Sequence, residues 1–220
     1  MAANAIEGVY AVTPDLEDEG ALRDKVAAAL TGGVRLVQYR NKRAGAQRRE
    51  KQARSLATMC RQYDARLVVN DDPQLAAMCG ADGVHLGADD APIAQARRVL
   101  GPGAVIGVSC YSNLKRALQA TAEGADYVAF GAMFPSATKP GATSAPLSLL
   151  REARKAIGLP IVAIGGINAT NAARVVEAGA DAVAVVSALF DAPDIESEAQ
   201  RLVAIVAAAL SRRTSAQAVG

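Results

Sequence analysis

The segment GAMFPSATKPGA, residues 131–142, follows an apolar run and carries two hydroxyl groups and one ammonium group close together. Such groups donate hydrogen bonds to phosphate, and each charge-assisted bond contributes roughly 1.5 to 3 kcal/mol. A loop that only reverses the chain has no need of a lysine. Ser136, Thr138 and Lys139 therefore predict a loop that closes over a phosphate.

Polar side chains also follow two earlier apolar runs. Gln38, Arg40 and Lys42 alternate along QYRNK, so in an extended chain they point to the same side. Asn70 and Asp71 end RLVVND. The first set could bind an anion, although a solvated strand end with a basic face remains the alternative.

Neighbouring carboxylates in two places fit a magnesium site. Asp72 precedes a proline, which is typical of a helix cap, so Asp71 remains available as a ligand. Asp89 and Asp90 follow HLG, and one of them could instead cap the next helix. Mg²⁺ keeps several waters and takes few carboxylates from the protein, with substrate phosphate completing its ligands. Two strand-end carboxylates beside Arg40 therefore predict a Mg²⁺ site.

Glycine and serine indicate a second anion site near the end of the chain. Gly165 and Gly166 follow the apolar run PIVAI, and Ser187 follows the run after it. Glycine lets the backbone approach a ligand closely, and barrels frequently bind phosphate at the loops after strands seven and eight.

Acid and base side chains are scarce. No Ser/His/Asp set is evident, and His85 is the single histidine. Its mid-strand position is more typical of a hydrogen-bonded core residue than of a catalyst. Ser109 could bind phosphate or cap the helix that follows it. This inventory favours a reaction that needs chiefly electrostatic help, such as the departure of pyrophosphate.

Eight short apolar runs, separated by segments with helical periodicity, must position these side chains. Their near-continuous apolar character indicates a parallel sheet covered on both faces. The pattern predicts one α/β domain, a (β/α)8 TIM barrel, with its site at the C-terminal strand ends. A doubly wound open sheet is the alternative, but YAVTPD lacks the Gly-rich first turn. The runs are GVYAV, RLVQYR, RLVVN, GVHLG, VIGVS, YVAFG, PIVAIGG and AVAVVS.

The tripeptide GAD recurs in GADGVHLG, GADYVAFG and GADAVAVV, each time between a helical segment and an apolar run. Its glycine can adopt the left-handed conformation that ends a helix. The repeat therefore supports a series of similar helix-to-strand units.

Composition limits the class of protein. Lys and Arg number 24 against 22 Asp and Glu, and a net charge of +2 is too small for a nucleic-acid binder. The three cysteines lack ligand spacing, so neither a disulfide framework nor a zinc site is predicted. We expect a cytoplasmic protein without membrane spans, with residues 1–210 as the barrel and 211–220 as a disordered tail. Whether it forms a homo-oligomer is left open.

Seven strings, taken in order over about residues 37 to 190, closely resemble the thiamine phosphate synthase family. This family couples 4-amino-2-methyl-5-hydroxymethylpyrimidine diphosphate to thiazole phosphate, releasing pyrophosphate and forming thiamine phosphate. The resemblance implies a transferase of thiamine biosynthesis that uses Mg²⁺ and ionises the pyrimidine to a stabilised carbocation. The strings are VQYRNK, VVNDDPQLA, GADGVHLGADD, IGVSC, GADYVAFGAMFPSATKP, PIVAIGGI and AGADAVAVVSALF.

The resemblance also implies roles for individual residues. The expected magnesium ligands are Asp71 and Asp90. The expected ligands of the pyrimidine diphosphate are Gln38, Arg40, Lys42, Asn70, Ser109 and Lys139, of which Arg40, Ser109 and Lys139 are expected to act in catalysis. The expected thiazole phosphate ligands are Ser136, Thr138, Gly166, Val186 and Ser187.

Three residues depart from the family pattern. Tyr39 replaces a commoner Leu, and Ser136 replaces the usual Thr but keeps its hydroxyl. Ala88 stands where a Gln is usual, which removes a polar group near the expected metal.

Two other functions remain open. A thiazole tautomerase would share the barrel and the phosphate sites, but that family relies on a histidine where this chain has Cys110 and Tyr111. A non-catalytic barrel that binds thiamine precursors would have no need of the metal site.

Overall fold

The computed structural model describes residues 6–135 and 145–218, and over these ranges eight parallel strands close into one barrel. Each strand pairs with its neighbours along the chain, and the first strand pairs with the last, so the predicted TIM barrel is confirmed. The strands are β1 (Gly8–Val12), β2 (Leu36–Tyr39), β3 (Arg66–Asn70), β4 (Gly83–Leu86), β5 (Val105–Tyr111), β6 (Tyr127–Phe130), β7 (Ile161–Ile164) and β8 (Ala182–Val185).

Helices cover the outer face of this barrel. They are α1 (Glu19–Thr31), α2 (Ala46–Gln62), α3 (Pro73–Cys79), α4 (Ile93–Leu100), α5 (Leu114–Ala122), α6 (Leu147–Ala156), α7 (Ala172–Glu177), α8 (Ser187–Phe190) and α9 (Ile195–Ala218).

Alternation along each strand divides the core in two. On β1, Val9 and Ala11 belong to the large apolar cluster shared with the helices, whereas Tyr10 and Val12 belong to a smaller cluster. Because successive strand residues face opposite sides, the smaller cluster is the filled barrel interior. Both faces of the strands are therefore buried, as their continuous apolar runs predicted.

The GAD repeat joins each strand to the one before it. Its glycines have positive φ in all three copies, as expected for helix ends. The aspartates add a role that the sequence pattern did not indicate. Asp82, Asp126 and Asp181 each accept a 2.7 Å hydrogen bond from a backbone N–H at the start of the preceding strand. The repeat thus stabilises the barrel end opposite the candidate site.

The expectation of a disordered tail from residue 211 is wrong for residues 211–218, because α9 continues to Ala218. Arg212 pairs with Glu177 at 2.9 Å, and Arg213 pairs with Asp181 at 2.5 Å. These ion pairs connect the end of α9 to α7 and to the last GAD repeat, a long-range contact that local composition does not report.

Among the helices that the structure describes, none is long and apolar enough to cross a lipid bilayer.

Candidate active site

The described site residues from all parts of the chain lie at one end of the barrel, where the parallel strands end. Gln38 and Ser109 lie within strands, Asn70 ends β3, and the others follow their strands directly or within a few residues. Ser136, Thr138 and Lys139 lie outside the described residues. The residues so placed are Gln38, Arg40, Lys42, Asn70, Asp71, Asp90, Ser109, Gly166, Val186 and Ser187.

A polar cleft opens between the ends of β2 and β3. The Arg40 guanidinium pairs with Asp15 at 3.1 Å, and the same Asp15 oxygen accepts the backbone N–H of Lys42 at 2.8 Å. Asp15 therefore fixes the loop that carries both cations. The cleft is lined by Tyr39, Arg40, Asn41, Lys42, Arg49, Asn70, Asp71 and Leu75.

Sequence reasoning missed Arg49, which lines this cleft from the first turn of α2. The residue lies in an arginine-rich helical segment, so the pattern gave no reason to separate it from solvated neighbours. Its guanidinium is 3.7 Å from Asp72. With Arg40 and Lys42 it makes the cleft suitable for an anion.

The two predicted magnesium ligands meet at this mouth. Burial raises the pKa of Asp90, and the adjacent Asp71 carboxylate raises this pKa further, whereas the Gly87 N–H and Lys42 lower it. Lys42 Nζ lies 3.3 Å from Asp71 Oδ2. A bound divalent cation would stabilise the charge of Asp90 beside Asp71.

The structure shows which of the predicted aspartates cap a helix. Asp72 caps α3 by accepting the Leu75 N–H at 2.9 Å, as predicted. Among the described residues, no side chain caps α4, and Asp90 instead accepts the Gly87 N–H at 2.6 Å. Asp90 therefore stays at the mouth.

Asp71 has an unusual backbone conformation. Its φ is 66°, in the left-handed region that aspartate and asparagine tolerate better than most residues. Its N–H donates to the His85 carbonyl at 2.8 Å, which connects the ends of β3 and β4. Left-handed residues concentrate at functional sites, where the surrounding structure maintains the strain.

Gly166 lies where the loop after β7 meets the segment after β6. Its φ is 63°, and a Cβ at this position would lie 2.5 Å from the Pro135 carbonyl oxygen. Phe134 N–H also donates to the Gly165 carbonyl at 3.0 Å. The double glycine therefore allows the predicted phosphate loop to begin directly against the β7 end, while Val186 and Ser187 follow β8 beside it.

Ser109 does not cap α5, which was one of the two roles that the sequence allowed for it. Asn113 caps α5 by accepting the Arg116 N–H at 3.1 Å. The Ser109 hydroxyl instead lies 2.8 Å from His85 Nε2. His85 is buried, stacks on Tyr127, and meets the Tyr127 hydroxyl through Nδ1 at 2.8 Å. The expectation of a hydrogen-bonded core histidine is thus confirmed.

Burial lowers the pKa of His85 to about 4, with Asp90 acting in the opposite sense. Between the ordinary histidine value of about 6.5 and pH 4, the unfolded chain therefore binds a proton that the native state does not. We expect native stability to fall by about 3 kcal/mol from this group as the pH drops through that range.

Urea unfolding of the wild type and of His85→Gln at pH 7.5 and 4.5 measures this contribution. The raised pKa of Asp90 acts in the opposite direction in both proteins, so the difference between their pH dependences isolates His85. Equal pH dependence in the two proteins would contradict the prediction.

Comparisons with known proteins show the family of this chain. A profile of the thiamine monophosphate synthase family matches residues 9–189. The thiamine-phosphate synthase of Thioalkalivibrio sulfidiphilus is 55% identical over 201 residues, covering 91% of this chain and 95% of the relative. That of Chromobacterium violaceum is 57% identical over 197 residues, covering 90% and 95%.

A solved structure has the same fold. The thiamine phosphate pyrophosphorylase from Pyrococcus furiosus superposes with a TM-score of 0.84 at 36% identity, covering 92% of this chain and 96% of its own. The chain belongs to the thiamine monophosphate synthase family.

Proposed function

We propose that this enzyme couples 4-amino-2-methyl-5-hydroxymethylpyrimidine diphosphate to thiazole phosphate, forming thiamine phosphate and releasing pyrophosphate. The bond between the pyrimidine methylene carbon and the diphosphate oxygen breaks, and the oxygen keeps the electron pair. The thiazole nitrogen then bonds to that carbon. The observation that carries the proposal is the convergence of Arg40, Lys42, Asp71 and Asp90 at one barrel mouth in a member of this family.

The cations of the cleft would bind the leaving diphosphate. Arg40 is already oriented by Asp15, so little side-chain entropy is lost when it binds an anion. Lys42 pairs with Asp71 but is more than half exposed, which leaves it able to turn to a diphosphate oxygen. Positive charge held where the leaving oxygen becomes negative stabilises the transition state more than the ground state.

Asp71 and Asp90 are the residues that would hold Mg²⁺. Within the described residues, no three His, Cys, Asp or Glu side chains form a set able to enclose a metal. Two carboxylates suit an ion that keeps its waters and bridges to substrate phosphate. Bound there, the ion would neutralise charge on the departing pyrophosphate.

The thiazole phosphate would lie on the other side of the mouth, near Gly166, Val186 and Ser187. Ser136, Thr138 and Lys139 would close over the substrates from the loop after β6, with Lys139 reaching the diphosphate. Gln38, Asn70 and Ser109 would contact the pyrimidine diphosphate.

We expect Gly166→Ala to raise KM for thiazole phosphate by about tenfold or more, because the added methyl meets Phe134 and the Pro135 carbonyl. Steady-state kinetics with each substrate varied in turn measures the effect. Gly158→Ala, where no described heavy atom lies within 4 Å of the new methyl, is the matched control. An equal rise in KM for both substrates would contradict the assignment of this side to the thiazole.

A coupling assay with both phosphorylated precursors, with and without Mg²⁺, tests the proposed function. Thiamine phosphate and pyrophosphate should form in equal amounts, and only with the metal. Formation of a thiazole tautomer alone would favour a tautomerase, and binding without turnover would favour a sensor. The tautomerase is disfavoured by Cys110, which is buried and whose thiol pKa is raised by burial to about 11.

A further inference from the structure

Five polar side chains form a continuous hydrogen-bonded chain across the barrel interior. Gln38 Nε2 lies 3.0 Å from the Tyr10 hydroxyl, which lies 2.9 Å from the Tyr127 hydroxyl. The chain continues from Tyr127 to His85 Nδ1 at 2.8 Å and from His85 Nε2 to Ser109 Oγ at 2.8 Å. It begins and ends at residues predicted to bind the pyrimidine diphosphate. We name these five residues the interior relay.

The number of protons fixes the direction of the interior relay. Gln38 Nε2 can only donate, so Tyr10 accepts from it, and within the described interior only Tyr127 then remains to accept the single Tyr10 proton. Tyr127 then gives its own proton to His85 Nδ1, which leaves His85 with its proton on Nε2. His85 Nε2–H donates to Ser109, and the Ser109 proton remains available to a group outside the relay.

The surroundings keep every member of the relay neutral. Burial raises the pKa of both Tyr10 and Tyr127 above the ordinary tyrosine value, and the buried His85 ring lies between two neutral hydroxyl groups, one of which donates to Nδ1. At neutral pH both tyrosines therefore keep their protons, and His85 carries one proton instead of two. The relay orients hydrogen bonds and does not move charge, which agrees with a reaction that needs little acid or base catalysis.

We propose that Gln38 sets the direction of the interior relay and that Tyr10, Tyr127 and His85 are positioning residues, which present the Ser109 hydroxyl to the substrate as a donor. The inference rests on the proposed function in one respect, that the pyrimidine diphosphate is the substrate that Ser109 meets. With the opposite direction, Ser109 would donate to His85 and offer only lone pairs. An acceptor atom of the substrate would then be repelled.

The single histidine makes the direction measurable without turnover. Protein labelled with ¹⁵N-histidine gives NMR signals from one imidazole, and these report which nitrogen carries the proton. We expect the Nε2–H form, unchanged between pH 6 and 9. The Nδ1–H form in the wild type would overturn the proposal.

Gln38→Glu tests whether residue 38 sets the direction. At pH 9 an ionised carboxylate can only accept, so Tyr10 would donate to it and each following hydrogen bond would reverse. The histidine signal should change to the Nδ1–H form. If Nε2–H persists in this variant, Gln38 does not set the direction.

A double-mutant cycle tests whether the relay acts through Ser109. Tyr127→Phe keeps the ring but removes the hydroxyl, and we expect kcat/KM for the pyrimidine diphosphate to fall by about tenfold. In a Ser109→Ala background the same change should have less than about a twofold effect, because the group being oriented is absent. Equal effects in both backgrounds would indicate a packing role and overturn the proposal.

Tyr63→Phe is the control for loss of a tyrosine hydroxyl. Its hydroxyl lies 3.4 Å from Thr31 Oγ1, away from the relay, so kinetics should stay unchanged. A wild type without coupling activity would refute the proposed function, while the histidine tautomer would still decide the direction of the relay.

Discussion

Asp71→Asn is expected to lower kcat for coupling by about two to three orders of magnitude, the range seen when one preorganised electrostatic group is removed. The substitution keeps the side-chain shape and removes the charge that faces Lys42 and Asp90. Asparagine also tolerates the left-handed φ of 66° at this position, which alanine does not. The backbone connection to His85 should therefore survive, and the loss should reflect chemistry.

Steady-state rates over a range of Mg²⁺ concentrations measure this effect. We expect the Mg²⁺ concentration at half-maximal rate to rise as kcat falls. Asp64→Asn is the matched control, since Asp64 also has a positive φ, 51°, but lies between α2 and β3 at the other end of the barrel. An unchanged rate at saturating Mg²⁺ would remove Asp71 from the metal site.

Gly107→Ala is expected to have a large effect on stability, a loss of at least about 3 kcal/mol in the free energy of unfolding. An added Cβ would lie 1.9 Å from Tyr127 Cζ, well inside van der Waals contact. The ring has little freedom to retreat, because it stacks on His85 and bonds to Tyr10 within the fully buried interior. Any protein that still folds should also lose the position of the Tyr127 hydroxyl.

Urea unfolding at neutral pH measures the stability loss. Gly103→Ala is the control, since it lies just before the same strand and no described heavy atom comes within 4 Å of its new methyl. Its free energy of unfolding should change by less than about 0.5 kcal/mol. A change smaller than about 1 kcal/mol in Gly107→Ala would show that the interior can rearrange around the ring.

Local patterns predicted the elements of this fold well. Every apolar run became a strand because each run is buried on both faces, and the GAD glycines ended helices because they adopt positive φ. The prediction for the end of the chain was wrong because the contacts that order it are long-range. Arg212 and Arg213 gain their partners from α7 and the loop after it, and nothing in the small polar composition of residues 211–220 signals those partners.

The site was predictable in its chemistry but not in its contacts. Residue types at strand ends indicated cations, carboxylates and a glycine turn, and the parallel topology then placed them at one mouth. Three features of the site depended instead on how strands and helices pack. Asp71 lies beside Asp90, Arg49 lines the cleft, and Asn113 rather than Ser109 caps α5.

The sequence by itself determined the order of strands and helices and which functional groups reach the barrel mouth, because these depend on periodicity among near neighbours. Tertiary structure alone decided which groups touch. Tyr10 and Tyr127 are separated by 117 positions along the chain, yet their hydroxyls meet at 2.9 Å because barrel closure brings β1 and β6 to face each other across one interior. Local sequence periodicity does not predict such a contact, because it depends on how the eight strands close into a barrel.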